Sequence, residues 1–86
     1  MTAVHIPPAL RSYTRLARVQ ADGVTLDELF VSLERQFPGL RFRVVDEQGR
    51  LRANMRLFVN GLGVRDLQHA LRPDDEVAVV LALSGG

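Results

Sequence analysis

The chain has 86 residues, 47% of them apolar and 24% charged, with a net charge of +1. That size permits one domain, which buries roughly 60–65% of the surface its unfolded chain exposes and has little room for a deep internal active site. There is no cysteine, which excludes a disulfide, a thiolate metal site and a cysteine nucleophile.

The opening MTAVHIPPAL lacks the basic start and apolar run of a signal peptide. No stretch approaches the ~20 apolar residues of a membrane span. A cytoplasmic protein with no membrane partner is expected. In chain order, Val4 and Ile6 alternate with Ala3 and His5 as in a short strand, which Pro7-Pro8 stops because proline cannot donate to a ladder. Leu16 to Val19 reads as a second short strand, and Asp22-Gly23 as a turn.

The clearest element follows. Thr25-Leu26-Asp27-Glu28 has the form of a capping box, in which the Thr25 hydroxyl accepts from the Glu28 N–H and the Glu28 carboxylate reaches back to the Thr25 N–H. Leu26, Leu29, Phe30, Leu33 and Phe37 then share one helical face. Pro38-Gly39 ends the helix. Leu40 to Val45 fits either a short helical turn or an extended piece, and Asp46 to Gly49 a polar turn.

Met55 to Val59 alternates again, with Met55, Leu57 and Val59 on one face and Arg56 and Phe58 on the other. Asn60-Gly61 is a tight-turn dipeptide. Val64-Arg65 suits a brief edge strand, Leu67 to Leu71 one helical turn, and Pro73-Asp74-Asp75 a turn into the last strand, Glu76 to Leu83. In that strand Val77, Val79 and Leu81 share one face, and Ala78, Val80 and Ala82 the other. One main helix beside these strands makes an α+β layer arrangement. The apolar continuity of the last strand places it centrally, next to the first. The chain closes on Ser84-Gly85-Gly86.

Together the helix TLDELFVSLERQFPGL, the strand and turn MRLFVNGLGV and the closing DDEVAVVLALSGG resemble the MoaD/ThiS-type ubiquitin-like sulfur carriers over nearly the whole chain. The resemblance implies a β-grasp fold, a mixed sheet packed on one main helix, with residues 1–83 as the domain and 84–86 as a flexible tail. It further implies that a separate adenylating enzyme uses ATP to activate the Gly86 carboxylate. A sulfur donor then converts it to a thiocarboxylate, and an accepting biosynthetic enzyme takes the sulfur. On that view the chain is a protein cosubstrate, not an enzyme, and binds no cofactor itself. Ser84 and Gly85 complete the tail. The segment 38–54 is more like carriers serving cysteine biosynthesis, tRNA thiolation or specialised metabolism than the shortest molybdopterin carriers. The alternatives are a ubiquitin-like modifier or interaction module, and the small subunit of a molybdopterin-synthase-type complex. Many relatives carry proline before the tail, where this chain has Leu81-Ala82-Leu83-Ser84.

The remaining residues refine the expectation. Phe58, Val80 and Ala82, with Arg56 beside them, fall on the sheet face away from the helix and form a candidate docking patch next to the tail. His5 and His69 lack metal-ligand company, so no metal is expected. Arg41, Arg43, Arg50, Arg52 and Arg56 concentrate charge mid-chain, but a net charge of +1 and one tyrosine argue against nucleic acid. A solvated face, or steering of an acidic partner, fits them better. All eleven basic residues are arginine. A coding bias accounts for that, and it also leaves an activated carboxyl with no ε-amine of its own chain to attack.

Overall fold

Thr25 opens the main helix as its position demands. In the computed structural model, which describes residues 1–82, α2 spans Leu26–Gln36, and the Thr25 hydroxyl accepts from the Glu28 N–H at 3.2 Å. The return bond from Glu28 is not made. Other donors of the first turn are satisfied by a different segment: Leu26 N–H donates to the His69 carbonyl at 3.2 Å and Asp27 N–H to the Leu67 carbonyl at 2.8 Å. Helix starts leave such N–H groups free for an outside acceptor. Hence Leu67 to Leu71, expected as a helical turn, is instead a pinned loop. It bridges Thr25 through Ala70 and buries Leu67 and Leu71 against the core.

The strands are β1 (Thr2–His5), β2 (Arg18–Ala21), β3 (Met55–Val59), β4 (Leu62–Val64) and β5 (Glu76–Leu81). They form one mixed sheet in the order β2-β1-β5-β3-β4. The first and last strands lie side by side as expected, parallel, with Val4 opposite Val77. The other pairings are antiparallel. Because side chains alternate along a strand, Val4, Val19, Leu57, Val59, Val77 and Val79 turn inward under α2. There Leu26, Leu29, Phe30 and Leu33 are completely buried. This is the β-grasp arrangement.

Two expectations need correction near the start. Pro7-Pro8 does end β1, yet it also begins a 3-10 turn (Pro8–Leu10) that runs into the short helix α1 (Arg11–Thr14). Proline suits the first helical position because its missing N–H has no helical partner there. Arg15 then closes α1 in the left-handed region at φ 59°. The second strand therefore starts at Arg18, not Leu16. Leu16 is 57% exposed and held in a local turn by the Thr14 hydroxyl, which contacts both its N–H and its carbonyl.

The open choice at 40–45 resolves as a helix, α3 (Leu40–Val44). The Glu34 carboxylate builds its start, accepting from the Gly39 N–H at 2.7 Å and the Arg41 N–H at 2.9 Å. Gly39 sits at φ 95°, a conformation that glycine adopts without a Cβ clash.

Gly23 is demanded by space, not by its dihedral. A Cβ there would stand 2.5 Å from the backbone N and 2.7 Å from the Cα of Leu29 in α2. Gly23→Ala must push the β2–α2 connection off the helix, and urea unfolding should show a loss of about 1–3 kcal/mol.

Asn60 and Gly61 both have positive φ, 51° and 84°, as a tight hairpin turn between β3 and β4 requires. Asn60 also clips the entry to β5. Its side-chain amide donates to Asp75 Oδ1 at 2.8 Å, and its Oδ1 accepts from the Glu76 N–H at 2.9 Å. Asp75 accepts as well from the Arg72 N–H at 2.9 Å. The Arg72 bond first, then the Asn60 bond, holds the Asp75 carboxyl below its ordinary value of 3.8. A carboxylate favoured in the folded state adds stability above its unfolded pKa, and that stability is lost as pH falls through the lower folded value. Asp75→Asn should therefore flatten the acid limb of the stability–pH curve below about pH 4, as followed by thermal unfolding across pH 2–6 (roughly the carboxylate range).

Candidate functional site

Strand β5 runs the length of the sheet and carries the chain out at one end. Its last residue, Leu81, pairs with Met55, the first residue of β3. The next N–H, that of Ala82, donates to the Asn54 carbonyl at 2.8 Å. Ala82, from which the expected tail would start, is thus fixed beside the start of β3. Leu83, Ser84, Gly85 and Gly86 lie outside the described residues.

On the outer face of the sheet the antiparallel register places Arg56 directly opposite Val80 and Phe58 opposite Ala78. The sequence-predicted patch is therefore brought together. Val80 is exposed, at 41%, while Ala82 is half-buried. Phe58 is also half-buried, not fully open as expected. It sits opposite Gly63, and a Cβ at Gly63 would be 3.6 Å from the Phe58 ring. The absent side chain lets the ring lie down over β4. Farther along the same face, His5 Nε2 and Glu76 Oε1 meet at 2.8 Å. That bond draws the Glu76 carboxyl below its usual value. The Arg56 guanidinium bends toward the tail's root, donating to the carbonyls of Ala53 at 2.8 Å and Met55 at 2.9 Å.

Around the edge from this face lies a groove of 580 Å³, lined by Leu10, Phe42, Arg43, Arg52, Met55 and Leu81 among others. Sequence reading did not single it out as a site. Phe42 is 56% exposed at its rim. The Arg52 guanidinium stacks 4.5 Å from the Phe42 ring centroid, and its Nε donates to the Phe42 carbonyl at 2.6 Å. Asp46, the carboxylate in the same wall, accepts the Arg50 and Gln48 N–H groups of its own turn. The mid-chain arginines noted above thus separate. Arg41 pairs with Asp27 at 3.1 Å, Arg50 faces another hollow with Arg65, and Arg43, Arg52 and Arg56 gather at the tail's root. Among the described residues no group of three His, Cys, Asp or Glu side chains is placed to hold a metal, and no helix is long and apolar enough to cross a membrane.

A family model, the ThiS family, matches residues 4–86. The chain belongs to the ThiS family. Solved structures agree with that placement. A chain of the Amycolatopsis orientalis BexX/CysO complex superposes with a TM-score of 0.92 and 29% identity, covering 100% of both chains. Mycobacterium tuberculosis CysO gives a TM-score of 0.91 and 30% identity, over 96% of this chain and 100% of that one. SAMP1 from Haloferax volcanii gives 0.79 and 26%, over 99% and 98%. No curated protein sequence matches significantly. This ThiS-family chain is therefore a ubiquitin-like protein of the sulfur-carrier and modifier class, and small proteins of this kind are not themselves enzymes.

Proposed function

We propose that the chain carries sulfur as a thiocarboxylate on Gly86, with Gly86 as the terminal residue, encoded or exposed by trimming. The observation that carries the reading is the ThiS-family match running through to residue 86, on a fold that anchors the tail's root at Ala82. A carboxylate is a poor electrophile, and activation splits one difficult substitution into two easier ones. In the first step a carboxylate oxygen of Gly86 attacks the α-phosphate of ATP in a partner enzyme, and pyrophosphate leaves. In the second a sulfide equivalent attacks the acyl carbon, the bond to AMP breaks, and AMP leaves. The chain has no cysteine, so the sulfur comes from an outside donor. A biosynthetic acceptor then takes it, in cysteine, cofactor, thiolated-tRNA or specialised-metabolite formation.

The four residues after Ala82 reach about 13 Å when extended. That length passes a narrow channel but requires the partner to seat against the domain. The outer-face patch of Phe58, Val80, Ala82 and Arg56 is the docking surface in this reading. ATP–pyrophosphate exchange with the cognate adenylating enzyme tests the first step: exchange must depend on adding this chain. The structural likeness to SAMP1, a small archaeal modifier protein, favours a second reading in which activated Gly86 forms an amide with another protein.

A further inference from the structure

We propose that the arginine-rimmed groove at the tail's root is a second docking surface, separate from the sheet face, and that it receives a carboxylate-bearing rim around the tail channel of the adenylating partner. The proposal rests on the sulfur-carrier reading and adds the chemistry of the partner surface. Position supplies the first argument. Leu81 lines the groove, and Gly86 is four residues past Ala82, at most about 13 Å of extended chain. An enzyme that draws Gly86 into an active site must therefore bring the mouth of its channel against this part of the domain. Whatever surrounds that mouth faces the groove.

Charge supplies the second argument. Arg43 and Arg52 line the groove, while Arg56 belongs to the sheet face. The carboxylate in the wall, Asp46, is engaged by backbone N–H groups of its turn and held below its usual pKa chiefly by the Arg50 bond. It remains an anion fixed in its own loop, and the cations around it outnumber it. Preorganisation adds to charge. Stacking on Phe42 and the 2.6 Å bond to the Phe42 carbonyl fix the Arg52 fork, so less side-chain freedom is lost when a carboxylate binds it. The apolar floor of Leu10, Met55 and Leu81 gives such a contact a partly dry setting, where charged hydrogen bonds count for more.

The test uses the full chain with its cognate adenylating enzyme and ATP–pyrophosphate exchange. Arg43→Gln/Arg52→Gln should raise the KM for the carrier about tenfold while leaving kcat within about twofold, because charges at an interface rim act mainly on encounter and binding. The salt dependence of kcat/KM should also become shallower than in the wild type. Arg65→Gln, an exposed arginine outside the groove, is the control and should change neither quantity. Thermal unfolding of each variant confirms that the fold is retained. A double variant indistinguishable from Arg65→Gln in KM and salt dependence would overturn the groove proposal alone. Exchange that is absent with the wild-type chain would remove the sulfur-carrier reading and this proposal with it.

Discussion

Gly86→Ala should abolish adenylation, cutting exchange by at least about a hundredfold, without moving the thermal midpoint of the domain. The two halves of this prediction rest on different parts of the molecule. The domain's stability resides in the core beneath α2 and in the five-stranded sheet, whose final strand ends at Leu81. Position 86 lies outside the described residues. Its proposed role is to place a backbone carboxylate against the α-phosphate of a nucleotide in a partner's channel. A methyl group there adds a Cβ where backbone must approach closely and narrows the accessible dihedrals. Misplacement of a reacting group by about 1 Å can cost a hundredfold in rate. Exchange kinetics read the loss, and a melting curve of the same preparation shows that the fold is intact. Near-normal exchange by the alanine variant would remove Gly86 from the chemistry.

Phe30→Ala should have the largest effect on folding. Phe30 lies on the inner face of α2 with no exposed surface, and Val4, Leu57 and Val77 of the sheet are buried in the same core. Truncating such a side chain removes the transfer energy of the ring and leaves a cavity, at a cost of about 3–5 kcal/mol. A domain of this length has only about 4–13 kcal/mol to lose. Urea denaturation should therefore show a midpoint shifted to much lower concentration, or a chain already partly unfolded in water. Phe42→Ala is the informative contrast, because Phe42 is 56% exposed and its loss should cost under about 1 kcal/mol. Equal losses for the two would contradict the placement of the core.

The sequence made the core readable because the main helix and the strands β3 and β5 keep their periods. The 26-29-30-33 spacing marks the buried face of α2, and the alternation in Met55–Val59 and Glu76–Leu81 assigns each residue to its observed face. Asn60-Gly61 signals its turn because both residues tolerate positive φ. Features set by distant partners were not readable. Leu67 to Leu71 has helical spacing, yet its carbonyls are used to satisfy N–H groups of α2 far back in the chain. Leu16 looks like a strand residue until the α1 turn, begun by Pro8, carries it into solvent.

The candidate site divides in the same way. Strand period alone assigns Val80 and Phe58 to the outer face, but the settling of Phe58 over Gly63 depends on the β3–β4 register. The groove was hidden because Phe42 and Arg52 come from two sides of a loop, and only folding stacks one on the other. The clustered arginines in that stretch were the visible signal. What they lacked was a way to tell Arg41, paired with Asp27, from Arg43 and Arg52, which face the groove.

The central claim is that Gly86 leaves its activating partner carrying sulfur. Intact-protein mass spectrometry tests it most directly, after incubating the chain with ATP, its cognate adenylating enzyme and sulfide. The account predicts a gain equal to the exchange of one oxygen atom for one sulfur atom, localised to the C-terminal peptide and absent when ATP is omitted. An unchanged mass despite active pyrophosphate exchange, or amide-linked conjugates to other proteins in its place, would contradict it.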